Sequence, residues 1–103
     1  MSTATALNLS VVVPAHNESG NLPDLIAEIV AALQARDDYE IVIVDDCSSD
    51  ESPQVLASLQ TQLPQLRVLR HLKNAGQSAA LRNGVRHARG TWIATLDGDA
   101  QNV

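Results

Sequence analysis

Four short apolar runs, Leu9 to Val13, Glu40 to Val44, Leu66 to Arg70 and Trp92 to Leu96, recur along the chain at near-regular intervals. The first two, LSVVV and EIVIV, are rich in β-branched residues and almost unbroken in apolarity. A strand with one wet face alternates apolar and polar residues; a parallel strand covered on both faces does not need to. The intervening segments carry helical spacing. Leu22, Leu25, Ile26, Ile29, Val30 and Leu33 form the stripe of an amphipathic helix, capped by Ser19 or Asn21 and admitting Pro23 in its first turn. A second helix starts at Ser52 with Pro53 in its first turn, turns Val55, Leu56, Leu59 and Leu63 inward, and ends at Pro64. A third runs from about Gln77 to Arg89, with Leu81, Val85 and Ala88 inward and Gly90 as its C-terminal cap. The order β-α-β-α-β-α-β implies right-handed crossovers and an α/β, doubly wound parallel sheet. The expected strand order is 3-2-1-4, because a ligand at the switch in strand order needs the ends of strands one and four side by side.

Composition excludes several classes of function. A formal charge of −5 and a pI near 4.9 argue against a general nucleic-acid binder, which needs excess Lys and Arg for the phosphates. Tyr39 and Trp92 are the only aromatics, so no platform for stacking bases exists. The single cysteine, Cys47, excludes an intrachain disulfide and a zinc cluster and suits a reducing compartment. MSTATALNLS lacks the basic and apolar regions of a signal peptide, and no apolar stretch reaches the roughly 18 to 20 residues of a membrane span. A cytoplasmic protein is expected. The chain stops at Val103, a few residues past the fourth strand, which suggests the first half of a longer enzyme.

In such a sheet the chemistry sits beyond the carboxyl ends of the strands. Strand one is followed by Pro14-Ala15-His16-Asn17-Glu18, strand two by Asp45-Asp46-Cys47-Ser48-Ser49-Asp50, and strand four by Asp97-Gly98-Asp99-Ala100-Gln101-Asn102. Carboxylates crowded on one edge repel: two unit charges roughly 4 Å apart cost about 4 kcal/mol at an effective dielectric near 20. A cation or a donor-rich ligand offsets that repulsion. Asp97-x-Asp99, with a glycine between the acids, offers oxygens to a hard divalent ion such as Mg²⁺ or Mn²⁺. Neither a G-x-x-x-x-G-K-S/T loop nor a G-x-G-x-x-G turn is present, so the phosphate-binding loops built on those patterns are excluded.

The segments VVVPAHNE, IVIVDDCSSD, NAGQSAALRNG and LDGDAQN, in that order, together resemble family 2 glycosyltransferases of the Rossmann-like glycosyltransferase-A fold. Within that family the run D-x-D-x-Q-N is similar to that of the polyprenyl- or dolichol-phosphate sugar synthases. The resemblance covers residues 9–103, which it makes the nucleotide-sugar-binding half of a glycosyltransferase domain behind an N-terminal extension of residues 1–8. It implies that Pro14, Ala15, His16 and Glu18 line the nucleoside pocket, with Val44 and Asp46 closing on the base and ribose. Asp97, Gly98 and Asp99 would approach the ribose and diphosphate, Asp97 and Asp99 as the catalytic pair, and Asp99 and Gln101 would hold the metal. His16 stands where the family often has an aromatic. The implied reaction is inverting transfer of a sugar from a nucleotide-diphosphate sugar to an acceptor, a lipid (polyprenyl) phosphate, in cell-envelope assembly.

Six of the seven basic residues, Arg67, Arg70, Lys73, Arg82, Arg86 and Arg89, lie between 67 and 89 with no acid among them. Arg82, Arg86 and Arg89 share a helical face that suits a membrane surface or a solvated exterior, and Arg82 is the one placed to reach the donor. On the membrane alternative, the patch implies a peripheral location at the cytoplasmic membrane face. His71 and His87 read as surface residues, Cys47 as lacking a base, Gly76 and Gly84 as turn and close-packing glycines, and Trp92 as a packed residue. Two rivals stand beside the transferase. A metal-dependent nucleotidyltransferase wants a basic, glycine-rich loop after strand one, which PAHNESGN is not. A nucleotide-binding fragment or scaffold without turnover is the other.

Overall fold

A computed structural model describes residues 7–96. The strands β1 (Leu9–Ala15), β2 (Tyr39–Asp46), β3 (Leu66–His71) and β4 (Trp92–Thr95) make one parallel sheet in the order β3-β2-β1-β4. They alternate with the helices α1 (Leu22–Ala32), α2 (Ser52–Gln60) and α3 (Gln77–His87). The topology is the one expected from the sequence.

The near-continuous apolar runs are explained by burial on both faces. Every residue of β2 is buried, as are all of β1 but Leu9. Odd-numbered residues of the two strands (Val11, Val13, Ala15, Ile41, Ile43) pack with Leu22, Ile26 and Ile29 of α1 and Leu56 of α2. Even-numbered Val12, Val42 and Val44 meet Ala80 of α3 on the opposite face. Alternation persists, but both sets are apolar because both faces are covered.

Helix α3 approaches the sheet through small residues, not through a stripe of large ones. Its buried positions are Ala80 and Gly84, with Leu81 and Ala88 at the margins, while Val85, expected inward, is exposed. A Cβ on Gly84 would meet the side chains of Val12 and Val44, so the helix lies as close as it does only because none is there. Gly90 is not a helix cap. Ala88 holds the C-cap position, and Gly90 instead lies against the backbone of Leu9 and Ser10 and donates its amide to Ser10 Oγ at 2.8 Å. The second helix ends at Gln60, before Pro64 requires it to.

Pro14 limits the ladder between β1 and β4. Register pairs Val12 with Thr95, and Val12 accepts the Leu96 amide on its carbonyl at 3.0 Å. Pro14, two residues on, turns its nitrogen to the same side and has no hydrogen to extend the pairing. The far end of β1 is thereby left to the loops that follow β1 and β2. Trp92, expected to pack, is 72% exposed, because α3 covers β1 and β2 and no described helix covers β4.

Gly84→Ala is expected to destabilise the fold by about 1–3 kcal/mol, since α3 must move off Val12 and Val44 or force their rotamers. Urea unfolding monitored by circular dichroism measures it; an unchanged midpoint contradicts this account of the contact.

Candidate functional site

Two loops are knitted together beyond the carboxyl ends of β1 and β2. Asn17 adopts φ 54°, a left-handed conformation that asparagine tolerates, and its Oδ1 accepts the amides of Ser49 (2.8 Å) and Asp50 (3.2 Å). In return the Asn17 amide donates to Ser48 Oγ at 2.9 Å. Asp50 accepts the Ser19 amide on one carboxylate oxygen (3.2 Å) and the Ser52 amide on the other (2.8 Å). Cys47 takes φ 60° at the tight turn out of β2. His16 donates Nδ1–H to the Asp46 carbonyl at 2.7 Å, because a carbonyl oxygen only accepts. That fixes the ring across the mouth of the site.

The acidic run after β2 is satisfied from within the protein. Asp45 and Asp46 face opposite sides of the sheet, and each is paired across to β3. The register sets Asp45 beside Arg70 and Asp46 beside His71. Arg70 donates to Asp45 Oδ2 at 2.8 Å, and the Ser48 amide donates to Asp45 Oδ1 at 3.2 Å. Asp46 accepts from His71 Nδ1 (2.8 Å) and from the amides of Ala75 (2.9 Å) and Gly76 (2.8 Å). His71 in turn meets Asn83 Nδ2 at 3.0 Å through Nε2. Burial pushes the Asp46 carboxyl up, but the two amides and His71 outweigh it and hold its pKa below the ordinary carboxylate value. Gly76, at φ 95°, provides the turn that aims both amides at Asp46.

A cleft of about 210 Å³ opens among Pro14, Ala15, His16, Glu18, Asp46, Gln77 and Ala80. Whole small-molecule sites run to about 300–1,000 Å³, so this one has room for one moiety of a larger ligand. Five of the expected site residues therefore share one cleft: Pro14, Ala15, His16, Glu18 and Asp46. Val44 does not join them. Its side chain is wholly buried beneath α3, because even-numbered positions of β2 face that helix. Arg82 does not join them either. It lies on another face of α3, in a separate groove with Arg70, Lys73 and Arg86. Asp97, Gly98, Asp99 and Gln101 lie outside the described residues. Among the described residues no group of three or more His, Cys, Asp or Glu is gathered to hold a metal.

Sequence reasoning missed Gln77, Ala80, Asn17 and His71. Gln77 and Ala80 stand one turn apart at the start of α3, and that spacing beside a glycine turn was the available signal. His71, expected at the surface, has a side chain only 16% exposed, because the register draws it onto Asp46.

Residues 10–102 match the family described as glycosyl transferase family 2. The undecaprenyl-phosphate 4-deoxy-4-formamido-L-arabinose transferase of Pseudomonas fluorescens is 42% identical over 97 residues, covering 91% of this chain and 28% of the relative. A dolichyl-phosphate beta-glucosyltransferase of Trichomonas vaginalis is 36% identical over 97 residues, covering 88% and 30%. Among solved structures, the Pyrobaculum calidifontis mannosyltransferase PcManGT in complex with GDP-Man and Mn²⁺ superposes with a TM-score of 0.82 at 28% identity, over 89% of this chain and 27% of that one. S. aureus TarS 1-349 in complex with UDP-GlcNAc gives 0.80 at 27% identity, over 90% and 27%. The chain thus spans under a third of the length of these proteins.

Two outcomes are expected from this geometry. Asp46→Asn sets an NH₂ against backbone N–H groups and leaves a buried donor unpaired, at a cost of about 1–3 kcal/mol in stability measured by urea unfolding. Loss of nucleotide affinity with no loss of stability would separate Asp46 from the loop it holds here. The second outcome concerns acid. Burial raises the Asp50 carboxyl, but Ser52 and Ser19 overcompensate and bring it to about 2 from 3.8, and Asp46 and Glu40 are also lowered. The folded form then binds fewer protons than the unfolded one. This stabilisation is complete above the unfolded value near 3.8 and disappears as pH falls through the folded value of about 2. Asp50→Asn is expected to flatten that part of the stability profile, and an unchanged acid slope counts against it.

Proposed function

Because the chain belongs to glycosyl transferase family 2, over residues 10–102, we propose that it forms the donor-binding part of an enzyme transferring a sugar from a nucleotide-diphosphate sugar to a polyprenyl phosphate. The observation that carries the proposal is the cleft beyond β1 and β2, where Pro14, His16, Glu18, Asp46 and Gln77 meet. Its polar groups are mostly acceptors and its lining has no Lys or Arg, which suits the N–H and O–H groups of a base or ribose and not a phosphate. The relatives named for undecaprenyl and dolichyl phosphate support a lipid phosphate as acceptor.

In this reading the reaction proceeds with inversion at the anomeric carbon. An oxygen of the acceptor phosphate forms the new bond to that carbon, and the nucleoside diphosphate departs with the bonding electrons. A phosphate monoester is ionised at neutral pH, with a second pKa of about 6, so the nucleophile needs no general base. Residues of this chain bind and orient the donor: the cleft fixes the nucleoside, and the knitted loops keep its walls rigid. The proposal gives Mg²⁺ or Mn²⁺ to Asp99 and Gln101, whose carboxylate and amide oxygens suit a hard cation, with Asp97 and Gly98 beside the ribose and diphosphate. When bound, the ion neutralises charge on the departing diphosphate. The Mn²⁺ complex of PcManGT supports the use of a divalent ion in this reading. A cytoplasmic protein that meets the membrane through Arg82 and Arg86 completes the proposal; Arg89, expected on the same helical face, lies beyond the end of α3 at His87 and is left out of it.

In the complete protein, Asp99→Ala is expected to lower transfer of labelled sugar to polyprenyl phosphate by at least about a hundredfold, as expected for loss of an electrostatic stabiliser, with the unfolding temperature unchanged. Near-normal turnover of the variant in Mn²⁺ would overturn the metal assignment. A complete protein that moves no sugar from UDP or GDP donors would overturn the proposal itself.

A further inference from the structure

Helix α3 has two working faces. Gln77 and Ala80 face the cleft, whereas Ala79, Arg82, Asn83 and Arg86, at helical spacings of three and four, line a separate groove of about 540 Å³. Arg70, His71, Leu72, Lys73 and Ala75 form its other wall. The groove contains four cationic side chains and no acid. Arg70 is already committed to Asp45, but among the described residues Lys73, Arg82 and Arg86 enter no ion pair. At its rim stands Leu72, 87% exposed, the most exposed of the chain's large apolar side chains among the described residues.

This combination is unusual in a chain of net charge −5. Unpaired like charges repel, and nothing in the fold requires these three to be cations. A fully exposed leucine beside them gains nothing from packing. Both features have a use at an interface where an apolar side chain enters acyl chains while flexible cations reach phosphates. The groove and the cleft share no lining residue, so a phosphate held in the groove is not the one that reacts.

Resting on the transfer reading, which requires the acceptor to lie in a bilayer, we infer that the β3–α3 groove is a docking surface for the anionic phosphates of a lipid leaflet. Lys73, Arg82 and Arg86 are the contacts and Leu72 the inserted anchor. Arg89, outside the groove lining, is not part of the surface. Docking there turns the β3 side of the molecule toward the bilayer and holds the cleft next to a membrane-borne acceptor.

The test is co-sedimentation of the 103-residue chain with vesicles of phosphatidylglycerol and phosphatidylcholine, against phosphatidylcholine alone. Binding is expected only to the anionic vesicles and is expected to weaken with salt. Arg82→Glu with Arg86→Glu should lower the partition coefficient about tenfold or more, and Leu72→Ser severalfold with the same salt dependence. Arg36→Glu with Arg89→Glu alters net charge equally and should leave binding close to that of the unaltered chain. Equal losses in both double variants, equal binding to neutral vesicles, or displacement by millimolar inorganic phosphate would each overturn the docking surface. Circular dichroism confirms folding of each variant, and titration with UDP and GDP reports on the cleft. Vesicle binding without nucleotide binding would sustain the surface while counting against the transfer reading.

Discussion

A strand buried along its whole length and ending in two carboxylates sets a severe constraint. Taking an ion out of water costs several kcal/mol even after relaxation, and β2 does so twice in succession at Asp45 and Asp46. Each carboxylate must be met by donors, and the pleat sends them to opposite faces, so one set of donors cannot serve both. Asp45 draws in Arg70 and the Ser48 amide; Asp46 draws in His71 and the amides of Ala75 and Gly76. The loops after β2 and β3 take their shape from that requirement. The cleft is its by-product: the loop that comes over to satisfy Asp46 delivers Gln77 and Ala80 as the cleft's third wall.

The opposite end of the sheet uses the same device. Glu40, at the start of β2, accepts from Ser10 Oγ (2.6 Å), Arg67 (2.8 Å) and the Arg89 amide (2.7 Å). Ser10 in turn accepts the Gly90 amide, so the exit of α3 is tied to β1 and β2 by one buried carboxylate. Helix α3 is therefore fastened at both ends by carboxylates of a single strand, Asp46 before its first turn and Glu40 after its last. Between them it touches the sheet through Ala80 and Gly84, where close approach replaces bulk.

The sheet was legible because its signal is compositional and local: β-branched runs, helical stripes and turn residues each identify an element without reference to the others. The strand order also followed from setting the first and fourth strands side by side at the switch in a doubly wound sheet. What could not be read was register. Arg67 and Arg70 look like members of a basic patch until they are aligned with Glu40 and Asp45. His71 looks like a surface histidine until Asp46 stands beside it. Val44 belonged to a motif, but its parity sends it under α3. The inward face of α3 was misjudged for another reason: hydrophobicity favours Val85, whereas the geometry of a helix pressed onto a sheet favours Gly84. Likewise Trp92 is apolar, but no described element covers its strand.

Register also changes what the basic residues mean. Six cations in a run without acids suggest a broad, diffuse positive surface. Pairing removes Arg67 and commits Arg70, and their charge offsets buried carboxylates rather than facing outward. Of the four that remain, Arg89 lies beyond the end of α3, while Lys73, Arg82 and Arg86 sit on one side of the helix and the acceptor-rich cleft on another. A single helix thus separates a region that favours hydrogen-bond donors from one that favours anions, although the loop feeding it is anchored by a buried acid. The separation depends on Asp46. Released from it, residues 75 and 76 would no longer fix the start of α3, and both faces would lose their positions together.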